Sequence, residues 1–155
     1  MTNLVQEIIH QAEYGRMLSD REVSRFTPAE IREAIQALVA DQKDELACAL
    51  GDAGLSLYPQ SEDMLAITGL LAMMRQDWHM AVELLEDLMK LQGEKAPAFT
   101  YVMFVRALRC NLDPARALQV AKEGLRLYPE QVELLTETLI LDDYSESMTT
   151  HNSAH

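Results

Sequence analysis

The 155-residue sequence is short of positive charge and of long apolar runs. Lys and Arg number 13 against 25 Asp and Glu, giving a formal net charge of -12. Such a balance argues against a general nucleic-acid binder and against docking on an anionic membrane. No apolar run approaches the roughly 18 residues of a membrane span. The first residues, 1–13, lack the basic segment that begins a signal peptide. We therefore expect a cytoplasmic protein without membrane insertion.

Sets of residues that carry chemistry are also missing from the sequence. The two cysteines, Cys48 and Cys110, fall in apolar helical patterns and are predicted to be buried free thiols, not a disulfide or a metal site. No glycine-rich phosphate loop, Gly-x-Ser-x-Gly or His-Glu-x-x-His motif occurs. The sequence thus predicts no catalytic residue, no metal site and no cofactor, which favours a protein that is not an enzyme.

Strand signals are nearly absent, and apolar residues recur instead at helical spacing. Thr27, Ser61 and Asp77 are predicted to cap helices, the first through a capping box with Glu30. Helices are predicted over 3–18, from 28, over 44–57, 62–75 and 78–91, from 97, from 113 to 128, and over 130–141. Short connections between helices of this length favour antiparallel hairpins, so the predicted fold class is all-α.

Three segments follow from this pattern. Residues 1–26 comprise an N-terminal helix and a polar connector over 19–26. Residues 27–143 form the helical repeat domain. Residues 144–155 are poor in apolar side chains and are expected to be a disordered tail.

An internal repeat is the strongest signal in the sequence. The segment Gly-Leu-Ser-Leu-Tyr-Pro at 54–59 returns as Gly-Leu-Arg-Leu-Tyr-Pro at 124–129, an interval of 70 residues. A weaker copy occupies 85–91. The interval equals two units of 35, close to the roughly 34-residue helix–turn–helix repeat.

The repeat units resemble the tetratricopeptide (TPR) family. The segments 76–81 and 112–117 are similar to the family's turn before an alanine, which makes Ala47, Ala81 and Ala117 equivalent. Gly69 stands where the family has a glycine, and prolines end two of the units. The resemblance implies a TPR-like α-solenoid of about three stacked hairpins, with an N-terminal helix and an acidic C-terminal helix as a polar cap.

In that family the first helix of each hairpin lines a concave face that binds another protein. The resemblance places there Arg32, Gln36, Val39, Asp63, Ala66, Leu70, Met73, Phe99, Val102, Arg106 and Arg109. The apolar members could equally be ordinary core. Arg106 and Arg109 could clamp a partner's carboxylate, or could pair with the acidic residues that follow position 127.

Small acidic TPR proteins of this length are similar to chaperones of type III secretion systems, and 70–82 looks like the small Hrp-type secretion proteins of pathogens. The resemblance implies a virulence-associated cytoplasmic chaperone or adaptor that holds a hydrophobic client, as an extended or amphipathic-helical segment, in its groove. The alternative is a self-associating scaffold subunit. In that case the apolar face of the first helix would form a homodimer through Leu4, Val5, Ile8 and Ile9.

Overall fold

The computed structural model describes the backbone of residues 3–13 and 20–153, and within them every regular element is helical. The helices are α1 (Asn3–Glu13), α2 (Asp20–Val23), α3 (Pro28–Ala40), α4 (Asp44–Leu57), α5 (Glu62–Met74), α6 (Trp78–Gln92), α7 (Ala98–Cys110), α8 (Pro114–Leu127) and α9 (Val132–Ser153). A 3₁₀ turn, Gly93–Lys95, follows α6. The chain divides into two compact units, Met1–Arg75 and Gln76–His155, so the predicted second hairpin, α5 and α6, is shared between them.

The first unit is organised around α3, which packs against α1, α4 and α5. Thr27 caps α3 through the predicted capping box with Glu30, and Ser61 caps α5. Ile31, Ile35 and Leu38 repeat along one face of α3 and are fully buried. Each such side chain contributes about 1.5–3 kcal/mol on leaving water, so this face holds the unit together.

The second unit is built in the same way around α7, which packs against α6, α8 and α9. Asp77 and Asp113 accept hydrogen bonds from backbone N–H groups in the first turns of α6 and α8. Eight of the thirteen residues of α7 are buried, which is the burial expected for a helix covered on more than one side.

Residues that are 70 positions apart in the sequence repeat have equivalent positions in the structure. Gly54 and Gly124 both lie on the second helix of a hairpin, where the following first helix comes close. A methyl group at Gly124 would lie 2.9 Å from Leu134 and 3.0 Å from the Tyr101 ring, and one at Gly54 would meet Met64 and Ile31. Gly54 and Gly124 thus allow this close approach at equivalent positions.

The two tyrosines of the repeated segment have the same role. The Tyr58 hydroxyl donates to the carbonyl oxygen of Phe26 at 2.8 Å, and the Tyr128 hydroxyl donates to that of Ala96 at 2.7 Å. Each bond joins the C-terminal end of the second helix of a hairpin to the residue just before the N-cap of the first helix. Ala47, Ala81 and Ala117 are likewise the fourth residues of α4, α6 and α8, and all three are fully buried.

The turns inside the hairpins share one backbone geometry. Gln42, Gln76 and Leu112 all have left-handed conformations, with φ of 60°, 61° and 63°. At the first and last of these turns the two N–H groups after the helix bond back to carbonyls three and five residues earlier, as in a Schellman motif. Side chains with a Cβ rarely adopt this conformation, so the turns store strain.

Both ends of the chain differ from the sequence prediction. The connector 19–26 contains the short helix α2, whose Val23 is buried in the core. The predicted end of the first helix, 14–18, lies outside the described residues. At the other end α9 continues to Ser153, through most of the segment expected to be disordered. Neither Gly nor Pro follows Pro129, so nothing in the sequence ends the helix.

The predicted dimer face required a free apolar side on α1, and that expectation is wrong. Leu4, Val5 and Ile8 are buried in the core of the first unit, and Ile9 packs against that core. The apolar stripe of α1 is covered by other parts of the same chain, including α3. None of these four side chains is left exposed for a second copy.

Candidate partner-binding surface

The first unit presents a partly apolar face along α3 and α5. Ala66, Leu70 and Met73 follow one another at i, i+4 and i+7, so they form one stripe on α5. All three are half-buried, as is Val39 on α3, and Gln36 beside it is exposed. Val39 and Leu70 pack against the core beneath with one side and face solvent with the other. We call these five residues the α3–α5 face.

The remaining two predicted residues of this unit pair with each other. Arg32 Nη1 lies 3.0 Å from Asp63 Oδ1, which links α3 to α5 at the N-terminal end of both helices. Both side chains are more than a third exposed, so the pair contributes at most about 1 kcal/mol. Since the charges cancel, this end of the face offers no unpaired cation.

In the second unit the predicted residues separate into one exposed and one buried apolar side chain. Phe99, in the first turn of α7, is 60% exposed, which is unusual for a large aromatic residue. Val102 is 3% exposed and belongs to the core, so the prediction that it contacts a partner is wrong. One helical turn separates Phe99 from Val102. Which of the two is exposed depends on the side of α7 that packs against the rest of the unit.

Arg106 and Arg109 do hold a carboxylate, but it is the protein's own. Glu137 of α9 accepts from Arg106 Nε at 3.0 Å and from Arg109 Nε at 2.7 Å, with a further contact from Arg109 Nη2 at 3.3 Å. The Glu137 side chain is buried while both arginines are partly exposed. Hydrogen bonding to this carboxylate raises the pKa of Arg109 further above its ordinary range. Of the two readings that the sequence left open, the structure supports internal pairing.

An apolar cavity that sequence reasoning missed lies beside this cluster. It is lined by Arg109, Leu112, Pro114, Ile140, Leu141 and Tyr144 and has a volume of about 190 Å³. Leu112 is 87% exposed, although it occupies a strained turn position where the two equivalent turns carry glutamine. The sequence signal for this cavity is Leu112, an apolar residue where the two equivalent turns have glutamine. It becomes visible only when the three turns are aligned.

Neither a disulfide nor a cluster of metal ligands is found among the described residues. Cys48 and Cys110 are free thiols but half-buried, not fully buried as predicted. Across the described ranges no three His, Cys, Asp or Glu side chains are placed to hold a metal ion. None of the described helices is both long and apolar enough to cross a bilayer.

Similarity to known proteins is found in structure and not in sequence. No protein-family model and no curated protein matches the chain. Among solved structures, MamA residues 41 to the end from Desulfovibrio magneticus RS-1 matches with a TM-score of 0.70 and 15% identity, over 97% of this chain and 86% of that one. MamA MSR-1 matches with a TM-score of 0.69 and 16% identity, over 87% and 78%.

A second kind of match is the Assembly Chaperone of RpL4 (Acl4). Its TM-score is 0.60 at 13% identity, and the alignment covers 98% of this chain but 60% of Acl4. MamA and Acl4 both have TPR-like helical folds. At these identities the likeness concerns the fold alone. It confirms that the chain has an all-α fold of the TPR-like helical-repeat class.

Proposed function

We propose that this protein is a cytoplasmic protein-interaction module, a chaperone or adaptor without enzymatic activity that holds an apolar segment of a client. The observation that carries the proposal is the α3–α5 face. Its half-exposed stripe of Ala66, Leu70 and Met73 belongs to a chain with a net charge of -12. A partly exposed apolar stripe at i, i+4 and i+7 spacing suits an extended or helical segment that carries apolar anchors.

The chemistry of the face supports an apolar client. Methionine adapts to irregular apolar shapes, and Gln36 at the margin can hydrogen-bond to a client's backbone. Arg106 and Arg109 are committed to Glu137, so a clamp for a client's carboxylate is not part of the proposal.

Two relationships suggest what the client is. Acl4 is described as an assembly chaperone, and its helical fold is similar to this one. The sequence resemblance to type III secretion chaperones makes a translocator or needle subunit the first client class to test.

Two methionines provide a matched test. Met73 belongs to the α3–α5 face, whereas Met80 lies on α6, is exposed and is not part of that face. A photo-crosslinking residue at Leu70 in the native host should capture one dominant apolar protein. Purified client should then bind the Met80→Glu variant normally and the Met73→Glu variant at least about tenfold more weakly, with both variants equally helical.

The proposal fails if both substitutions leave client binding unchanged. It also fails if the crosslinker at Leu70 captures only further copies of this chain. The latter result would favour the second candidate, a self-associating scaffold. Sedimentation of the purified chain over a range of concentrations measures that property directly.

A further inference from the structure

Helix α9 carries an apolar stripe on the side that faces away from its own unit. Val132, Leu135 and Leu139 are 68%, 44% and 66% exposed. Their i, i+3, i+7 spacing places them on one face of the helix. The opposite face carries Leu134, Glu137 and Leu141, which are buried against the rest of the unit. The stripe was not anticipated, because the sequence pointed to a polar cap in this position.

The internal repeat shows what such a stripe does elsewhere in the chain. Helix α5 stands 70 residues before α9, and its position in the first unit is equivalent. Leu65 and Gly69 correspond to Leu135 and Leu139 and are both buried, Leu65 with 3% exposure, whereas Glu62 corresponds to Val132 and is exposed. Two of the three stripe positions are thus buried in α5 and exposed in α9. A terminal repeat whose outer face is only a cap would be polar there.

The charges around the stripe indicate the character of what covers it. Glu133, Asp142 and Asp143 are exposed on the same helix. After Arg126 the sequence contains no Lys or Arg. A second copy of this chain would add its own net charge of -12 to this acidic surface, whereas a basic partner would complement it.

We propose that the α9 stripe binds a basic amphipathic helix of another protein. Val132 to Leu139 spans about 10 Å along the helix axis, so two to three turns of partner helix cover it. Apolar residues of the partner would lie on the stripe, and its Lys or Arg side chains would face Asp142 and Asp143, which follow Leu139 by three and four residues. This surface is separate from the α3–α5 face and adds a second partner to the proposed function.

A peptide taken from this chain provides the probe. The segment 78–92 forms α6, a helix whose five buried residues are all apolar. One labelled peptide keeps the natural sequence, which is acidic. The other carries Glu83→Lys, Glu86→Lys and Asp87→Lys and keeps the apolar residues. Both are titrated with the full-length chain, and binding is measured by fluorescence anisotropy at low and physiological salt.

We expect the lysine peptide to bind at least about tenfold more tightly than the acidic one, with the difference shrinking as salt rises. Leu135→Asp and Leu139→Asp should each weaken that binding at least about tenfold without loss of helical content, because both side chains are largely exposed. Leu91→Asp, which changes an exposed leucine on another helix, is the control and should bind like the wild type.

The proposal is overturned if neither peptide binds, if both bind equally, or if Leu135→Asp and Leu139→Asp bind like the wild type. A dimer of the unliganded chain that Leu139→Asp dissociates would overturn it as well, since the occupant would then be a second copy. Met73→Glu should leave peptide binding intact. This distinguishes a failure at α9 from a failure of the α3–α5 face.

Discussion

At the scale of single residues, Glu137 shows how one buried carboxylate organises two arginines. It comes from α9 and is buried, whereas Arg106 and Arg109 come from α7 and are partly exposed. Two of its contacts are charge-assisted hydrogen bonds of 3.0 Å or less. Since α9 and α7 are distant in sequence, this cluster holds the last helix to the unit.

Replacing Glu137 by glutamine should therefore destabilise the protein. The amide keeps the shape but removes the charge and turns an NH₂ group toward a guanidinium. We expect the free energy of unfolding to fall by about 1.5–3 kcal/mol in urea denaturation. Asp142→Asn, an exposed change on the same helix, is the control and should have little effect. Equal midpoints for the two variants would contradict the assigned role of Glu137.

Tyr101 predicts how stability depends on alkaline pH. Burial, with the charge of Glu123 nearby, raises the pKa of Tyr101 above its ordinary value of 10.0. The native state therefore holds this proton to higher pH than the unfolded state does. The associated stability is fully present below about pH 10 and is lost as pH rises beyond it. Urea unfolding between pH 8 and 11 should show a steeper loss for wild type than for Tyr101→Phe, and parallel curves would count against this assignment.

At the scale of elements, the hairpin turns combine a good hydrogen-bond pattern with unfavourable side chains. Schellman motifs end α3 and α7, and glycine is the residue best suited to their left-handed position. This chain has Gln42 and Leu112 there instead. At Leu112 the unfavourable left-handed backbone also carries an exposed apolar side chain, which lines the cavity in the second unit.

Leu112→Gly should stabilise the fold. Removing the Cβ relieves about 1–2 kcal/mol of left-handed strain, and greater freedom of the unfolded chain offsets about half of that gain. We expect a net increase of about 0.5–1 kcal/mol in the free energy of unfolding. Gln42→Gly tests the equivalent turn and should change stability in the same direction. A loss of stability at Leu112 would mean that the side chain packs more than its exposure indicates.

At the scale of the whole molecule, two stretches 70 residues apart repeat the same construction. Helices α3, α4 and α5 correspond in length and order to α7, α8 and the first turns of α9. The close-approach glycines, the buried alanines and the tyrosine hydrogen bonds recur at the same interval. Equivalent substitutions in the two units should therefore have similar costs.

Tyr58→Phe and Tyr128→Phe test this equivalence. Each removes one hydroxyl that donates to a backbone carbonyl, at 2.8 Å and 2.7 Å. We expect each to lower the free energy of unfolding by about 1 kcal/mol. Tyr144→Phe, in an exposed position of α9, should be neutral. A large effect at one site and none at the other would show that the two units share a backbone arrangement but not the energetic contribution of this hydrogen bond.

The sequence by itself determined the helices of the repeat domain and the repeat, although not α2 or the length of α9. Caps such as Thr27 and Asp77, the recurring Gly–Tyr–Pro segments and the equivalent alanines act over a few residues or at a constant interval, so they can be found without coordinates. Only tertiary structure decided which apolar and charged side chains are free. Val102 is buried and Phe99 exposed, the stripe of α1 is covered and that of α9 is open, and Arg106 and Arg109 are bound to Glu137. The physical reason is that burial and ion pairing depend on what an adjacent helix brings to a surface, which no local pattern contains.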